Sequence, residues 1–121
     1  MTRLAFSAEP EKFFAACDAF ILPSRYEGLP VAAIEALSCD LPLILSTGPG
    51  FSDFPKLGLS HCWTAPPEDM DGFSRAIEAW LADRAAGRPS NHRAIAATHF
   101  DPKRCLDRLL AIYRGESNIA P

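Results

Sequence analysis

The sequence predicts an α/β fold with a short parallel sheet of about four strands and helices at the C-terminal end. Short apolar runs alternate with longer segments in which apolar residues recur every three or four positions. Apolar runs of this length are typical of parallel strands that helices cover on both faces. Alternation of the two patterns favours strands joined by helical crossovers. At 121 residues, the chain has the length of one domain.

Four segments have the pattern of strands. The second and third are the most apolar, and the loop Gly48-Pro49-Gly50 interrupts the chain directly after the third. Glycine and proline in this arrangement favour a loop over a longer strand. The predicted strands cover residues 3–7, 19–22, 43–46 and 61–64.

Five segments have the pattern of helices. Pro30 suits the first position of its helix, where a missing N–H group costs nothing. Asp69 or Asp71 can cap the third helix, and Gly87 ends it. Three of the predicted helices cover residues 9–17, 30–38 and 89–98. The third helix runs from its cap at Asp69 or Asp71 to Gly87, and the last follows Asp101-Pro102.

The chain is predicted to end in a frayed tail at residues 117–121.

The first and last helices have predicted inward faces. In the first helix the inward residues are Phe13, Phe14 and Ala16. In the last helix they are Cys105, Leu106, Leu109, Leu110, Ile112 and Tyr113, which recur at helical spacing.

The composition is that of an ordinary globular protein. Hydrophobic residues make up 48% and charged residues 22%, and the net charge is −3. A negative net charge argues against a nucleic-acid partner. No apolar run approaches the roughly 20 residues of a membrane-spanning helix. We therefore expect a cytoplasmic location.

Basic residues cluster near the C-terminus, but acidic residues interleave with them. The favoured interpretation is a solvated helix face, and weak peripheral contact with an anionic membrane is the alternative. The basic residues are Lys103, Arg104, Arg108 and Arg114, and the acidic ones are Asp101, Asp107 and Glu116.

The spacing of cysteines and histidines predicts no metal site. His61 adjoins a predicted strand, and His92 and His99 lie seven positions apart with no other ligand type at metal-binding spacing. The cysteines form no Cys-x-x-Cys pair and are predicted to be buried, reduced thiols. They are Cys17, Cys39, Cys62 and Cys105.

Two glutamates flank the turn between the second strand and the next helix. Glu27 lies in the loop, and Glu35 lies eight positions later in an otherwise apolar helix. A buried, unpaired carboxylate costs several kcal/mol, so this pattern suggests a site for a polyol or a phosphate. The N–H groups of Leu29, Val31 and Ala32 are predicted to point out of the helix start, where the helix dipole also favours an anion.

The segment PSRYEGLPVAAIEA, residues 23–36, resembles the paired-glutamate motif of retaining glycosyltransferases with the two-domain GT-B fold, the glycosyl transferases group 1 family. The likeness continues in ALSCDLPLI, residues 36–44, where the family has Ala-Met-Ala-Cys-Gly-x-Pro-Val-Ile. It returns in APPED, residues 65–69, which is similar to the family's Pro-x-Asp turn. The resemblance implies a partial Rossmann-like, three-layer domain, the second half of the family's C-terminal, donor-binding domain.

The resemblance also implies roles for the motif residues. Glu27 matches the family's catalytic glutamate, which contacts the donor sugar's hydroxyls near the bond that breaks. Glu35 matches the glutamate that accepts hydrogen bonds from the ribose hydroxyls. The implied donor-binding residues between them are Gly28, Leu29, Pro30 and Val31.

The implied partners are a nucleotide-diphosphate sugar as donor and a sugar, lipid or small molecule as acceptor, with no metal or other cofactor. Members of the family are about three times as long, as two domains of ~150 residues or more require. We therefore expect that residues 1–121 form one partial domain, that the N-terminal half of the enzyme is missing, and that the chain alone is inactive.

Two positions depart from the family pattern. Asp40 stands where glycine is usual at a helix end, although aspartate tolerates left-handed backbone. Phe51 stands where a second glycine is usual in the loop after the third strand, and no glutamate follows at the family's distance. These differences argue against donor contacts from that loop.

The residues themselves leave alternatives open. Glu27 can be an ordinary surface residue, Glu35 can face solvent, and Arg25 can be either solvated or a phosphate clamp. The whole chain can also be a non-catalytic nucleotide- or phosphate-binding module. A further alternative is an interaction piece that pairs an exposed sheet edge with a second copy or with the missing half.

Overall fold

Three parallel strands in the order β1-β2-β3 form the sheet of the computed structural model, which describes residues 8–116. These strands confirm the last three predicted ones, with β3 shifted by one residue. The predicted strand at residues 3–7 and the predicted tail at residues 117–121 lie outside the described residues. The strands are β1 (Phe20–Leu22), β2 (Leu43–Ser46) and β3 (Cys62–Ala65).

Within residues 8–116, five α-helices accompany the sheet, and none has both the length and the apolar character needed to cross a membrane. All five were predicted, with ends that differ by a few residues. The helices are α1 (Pro10–Ala15), α2 (Val31–Ser38), α3 (Met70–Ala86), α4 (His92–His99) and α5 (Pro102–Tyr113), and a short 3₁₀ helix covers Phe54–Leu57.

The core has two halves, one on each face of β2, and all four β2 residues are buried. Leu43 and Leu45 join a cluster that includes residues of α2 and α4. Ile44, which points the other way because strand side chains alternate, joins a second cluster with Phe73 and Ala76 of α3. The sheet therefore lies between two helical layers, as the predicted three-layer fold requires.

Helix α2 begins one position later than predicted and ends in a left-handed turn. Pro30 occupies the position before the first helical residue. At the other end Asp40 has a φ of 67°. Its N–H donates to the Leu37 carbonyl at 3.0 Å, and the N–H of Leu41 donates to the Ala36 carbonyl at 3.0 Å. This pair of bonds is the Schellman arrangement, which satisfies carbonyls at a helix end.

The aspartate at this left-handed position has partners that a glycine would lack. The Asp40 carboxylate accepts hydrogen bonds from the Ser90 hydroxyl at 2.7 Å and from the Arg93 N–H at 3.2 Å. Arg93 is the second residue of α4, so Asp40 satisfies one of the N–H groups that a helix start leaves without an internal partner. The departure from the family's glycine thus joins α2 to α4.

The predicted inward face of α1 is correct for Phe14 and wrong for Phe13 and Ala16. Phe14 packs edge-on against Phe20 of β1, with ring centroids 5.8 Å apart. Phe13 and Ala16 are exposed, and α1 has no buried residue. With only six residues, the helix contacts the core through little more than one side chain.

The predicted inward stripe of α5 is wrong. Every residue of the stripe is exposed, because no other helix or strand of residues 8–116 packs closely against α5. Exposure ranges from 39% to 81% for its five largest members, which are Leu106, Leu109, Leu110, Ile112 and Tyr113.

The prediction of buried thiols is wrong for Cys17 and Cys105, and Cys39 and Cys62 are only partly buried. Cys39 and Cys62 are half-buried, whereas Cys17 and Cys105 are exposed, and all four are free. Burial raises the pKa of the Cys62 thiol to about 11, so this group stays protonated at neutral pH.

Two isoleucines on neighbouring strands provide a test of this core. Ile44→Ala should destabilise the chain by about 2–5 kcal/mol, because Ile44 is fully buried and its loss leaves a cavity. Ile21→Ala should cost less than about 1 kcal/mol, since Ile21 is 43% exposed. Urea unfolding of both variants measures the difference, and equal losses would contradict the central place of β2.

Candidate functional site

Three loops leave the same edge of the sheet, because the strands that precede them are parallel. They comprise residues 23–30 after β1, 47–53 after β2 and 66–69 after β3. Ser46, buried at the end of β2, donates its hydroxyl proton to the carbonyl of Ser24 in the first loop. The first and second loops are therefore joined where they leave the sheet.

The backbones of these two loops also pack directly against each other. The Glu27 N–H donates to the Pro49 carbonyl at 3.2 Å. A methyl group at Gly50, where φ is 88°, would overlap the carbonyl oxygen of Glu27, and one at Gly48 would lie 2.7 Å from the Arg25 carbonyl oxygen. The two glycines permit this approach, which fixes the backbone at Glu27.

The first and third loops are linked by an exposed ion pair. Arg25 Nε lies 3.0 Å from Glu68 Oε1. The Arg25 side chain is 81% exposed, which fits the interpretation of a solvated residue, and its ion-pair partner is Glu68. Exposed pairs of this kind contribute at most about 1 kcal/mol. No local pattern could have indicated this contact, because it depends on the order of the strands.

The predicted catalytic residue, Glu27, has a half-buried side chain at the centre of this loop cluster. Among residues 8–116, its carboxylate has no hydrogen-bond or ion-pair partner. Its position is fixed through the backbone, while both carboxylate oxygens keep their capacity to accept hydrogen bonds. Such a group suits a ligand with hydroxyls.

The start of α2 offers two backbone donors instead of the three predicted. The Val31 N–H donates to the Leu29 carbonyl at 2.8 Å, and the N–H groups of Ala33 and Ile34 donate to the Pro30 carbonyl. The prediction that the Val31 N–H is free is therefore wrong.

The other two predicted donors, the N–H groups of Leu29 and Ala32, have no acceptor within the described part of the chain. The side chains of Leu29 and Val31 are exposed on either side of the turn. Unpaired amides at the positive end of a helix dipole favour an anion at this point.

Glu35 lies on the exposed face of α2, four residues after Val31 and therefore on the same side of the helix. It lines a groove of about 330 Å³ together with residues that include Phe14, Ile34 and Phe100, and Glu27 is not part of that lining. The structure thus brings Glu27 and the Gly28–Val31 turn together, and places Glu35 one helical turn beyond them.

Two glycines test the close approach of the loops. Gly58→Ala should cost about 1 kcal/mol, because Gly58 also has a positive φ (71°) but has open space around it. Gly50→Ala should cost at least 1 kcal/mol more, since its methyl group meets the Glu27 carbonyl. Urea unfolding gives the two losses, and the amide chemical shift of Glu27 should move only in Gly50→Ala. Equal losses of stability in the two variants, with no change in the Glu27 amide chemical shift, would contradict the packing of Gly50 against Glu27.

The sequence and the structure were both compared with known proteins. The model of the family named "Glycosyl transferases group 1" matches residues 3–99. The chain is 28% identical to the O-antigen chain mannosyltransferase B of Escherichia coli over 84% of this chain and 26% of that protein. It is 29% identical to the D-inositol 3-phosphate glycosyltransferase 1 of Catenulispora acidiphila, over 85% of this chain and 25% of that one.

A solved structure has the same fold. The sucrose-phosphate synthase of Thermosynechococcus elongatus superposes with a TM-score of 0.74 at 28% identity, over 85% of this chain and 26% of the synthase. The chain thus spans about a quarter of the length of the relatives that it matches. The match of the family model to most of the chain, together with these relatives, shows that the chain belongs to the glycosyl transferases group 1 family.

Proposed function

We propose that the chain is the donor-binding part of a retaining glycosyltransferase that uses a nucleotide-diphosphate sugar. The observation that carries this proposal is the start of α2, where unpaired N–H groups lie next to a glutamate that two loops hold in place. Family membership supports the reaction type. The names of the relatives, a mannosyltransferase and an inositol-phosphate glycosyltransferase among them, support transfer of a sugar to a small or polymeric acceptor.

Each part of the site has a role in this proposal. The amides of Leu29 and Ala32 bind a phosphate oxygen of the donor, assisted by the helix dipole. Glu35 accepts charge-assisted hydrogen bonds from the ribose hydroxyls. Glu27 accepts hydrogen bonds from the donor sugar, close to the bond that breaks, and Gly28 leaves room for the ligand beside the backbone.

The proposed reaction needs no metal among these residues. The leaving diphosphate is stabilised by backbone amides and by basic groups, and the acceptor hydroxyl attacks from the face that the diphosphate leaves. Within residues 8–116, no three His, Cys, Asp or Glu side chains are grouped to hold a metal ion. The acceptor site and the basic phosphate ligands belong, in this proposal, to the other three quarters of a full-length enzyme in the cytoplasm.

Binding of a nucleoside diphosphate to the chain tests the site. Glu35→Gln should weaken binding by about 10- to 100-fold, because it removes charge-assisted hydrogen bonds to the ribose. Glu78→Gln, an equally exposed glutamate on α3, is the matched control and should leave binding unchanged. Isothermal titration with uridine, guanosine and adenosine diphosphates gives the dissociation constants. Absence of saturable heat with all three, or equal affinities for the two variants, would contradict the proposal.

A donor-consumption assay with several nucleotide sugars tests whether the chain acts alone. We expect no turnover, because the chain spans only about a quarter of its relatives and lacks their acceptor site in this proposal. Glu35→Ala is the control for background hydrolysis. Turnover by the unmodified chain above this control would show that the 121 residues are sufficient.

An interaction role is the second candidate, and the exposed apolar face of α5 favours it. Apolar side chains on one side of a helix normally find a partner surface. Among residues 8–116, β1 and β3 each pair with a single neighbouring strand, and an unpaired strand edge favours pairing with another chain. Light scattering across a range of concentrations tests self-association: a mass that rises with concentration supports it, and a constant monomer mass contradicts it.

A further inference from the structure

The segment between α3 and α4 is held against the opposite edge of the sheet by a buried cluster of polar side chains. At its centre His92, the first residue of α4, is fully buried. Its Nδ1 lies 2.7 Å from the Leu41 carbonyl oxygen, and its Nε2 lies 3.2 Å from the His61 backbone nitrogen. Leu41 precedes β2 and His61 precedes β3, so one imidazole joins α4 to two strands.

These two contacts assign the protonation state of His92. A carbonyl oxygen only accepts hydrogen bonds, so Nδ1 must carry the proton. A backbone N–H only donates, so Nε2 must be bare. His92 is therefore neutral, and it can make both bonds in only one of its tautomers.

The ring of His61 contacts two acceptors. Its Nδ1 contacts the carboxylate of Asp83, and its Nε2 lies 3.2 Å from the Pro89 carbonyl oxygen. The ring therefore joins the start of β3 to α3 and to the turn after α3. The Asp83 carboxylate, which is buried, also accepts a hydrogen bond from Arg88 Nε at 2.7 Å.

The groups that face His92 come from three parts of the fold. Burial lowers the pKa of His92, and the charge of His61 lowers it further. The two ring centroids lie 5.8 Å apart. The hydrogen bond to the Leu41 carbonyl has the opposite effect and raises the pKa of His92. The charge of Asp40, at the end of α2, also raises the pKa of His92.

Other charged groups lie on the side of His61. From α3 and the turn after it, Asp83 and Arg88 face His61. An exposed pair, Asp18 and Arg84, lines the adjoining cavity of about 210 Å³. Asp83 is paired with both His61 and Arg88.

We propose that His61 and His92 form a pH-sensitive latch, which fastens α4 to α2 and the sheet near neutral pH and loosens when His92 takes up a proton. A proton on Nε2 would abolish the bond from the His61 N–H. The inference concerns the fold alone and does not rest on the proposed function. Its effect would nevertheless reach the candidate site, because α4 packs against α2, which carries Glu35.

The direction of the pH effect follows from linkage. A released histidine has a pKa of about 6.5, whereas the latched His92 has a lowered pKa. Opening therefore takes up a proton between these two values, so the latch is complete above about pH 6.5 and weakens as the pH falls. Within that window, the opening constant of α4 should rise by about tenfold per pH unit.

Nitrogen NMR of the histidine rings tests the protonation states in the unmodified chain. At pH 7.5 we expect His92 to carry one ring proton, on Nδ1, and to leave Nε2 bare. A proton on Nε2 of His92 at this pH would overturn the proposal. This measurement needs no variant and so is unaffected by any loss of folding.

Hydrogen exchange between pH 7.5 and 5 tests the latch itself, after correction for intrinsic exchange rates. The amides of Ile95 and Phe100 report on α4, and that of Thr47 at the far edge of the sheet is the reference. In His92→Gln the amide side chain can still accept from His61 and donate to Leu41 but does not titrate, so α4 opening should become independent of pH.

The matched control is His99→Gln, the exposed histidine on the same helix, which should keep the tenfold slope. An unchanged slope in His92→Gln, a lost slope in His99→Gln, or equal slopes at α4 and at Thr47 would each overturn the latch.

Discussion

The burial of β2 between two parallel neighbours is the constraint on which the rest of the structure depends. Because the three strands run in one direction, the loops that leave them meet at one edge and the segments that enter them meet at the other. At the first edge, the loop after β2 packs against the backbone of Glu27. At the second edge, Leu41 and His61 hold the ring of His92. One strand thus positions two polar clusters on opposite sides of the fold.

Helix α2 connects these two clusters, because each of its ends belongs to one of them. Its start carries the unpaired amides of the candidate site, and its end carries Asp40, which binds Ser90 and Arg93. Between the ends, the face that includes Ala33 and Leu37 is fully buried against the sheet. The small side chains of Ala33 and Ala36 permit a close approach of the helix to the core, and close-packed interfaces of this kind resist gradual deformation. A change at one end is therefore transmitted by movement of the whole helix.

The sequence was sufficient to predict what depends on neighbours along the chain. The three described strands and the helix end at Gly87 are local patterns that were predicted, and Asp69 is one of the two caps predicted for α3. The predicted burial of the apolar stripe of α5 was wrong, because amphipathic spacing shows that a helix face is apolar but not which surface packs against it. The cluster around His61 and His92 was missed because these residues are 31 positions apart and match neither metal-ligand nor helical spacing. Burial of such a pair arises only from the order of the strands.

In the candidate site the residue types and their location were predictable from the sequence. Which backbone N–H groups remain unpaired was not predictable. Rules for helix starts count the N–H groups without an internal partner, and they do not foresee the tight bond from Val31 to Leu29 that removes one of them.

The two clusters differ in how their polar groups are satisfied, and this difference separates their roles. In the described residues, every buried polar side-chain atom has a hydrogen-bond partner, including those around His61, Asp83 and His92. At the other edge, the amides of Leu29 and Ala32 and the carboxylate of Glu27 have no partner within residues 8–116. Groups that satisfy one another stabilise the fold and respond to protons, whereas groups left unpaired at a helix start gain most from a ligand that supplies their partners. This contrast favours a ligand beside Glu27 and a structural role for the histidines.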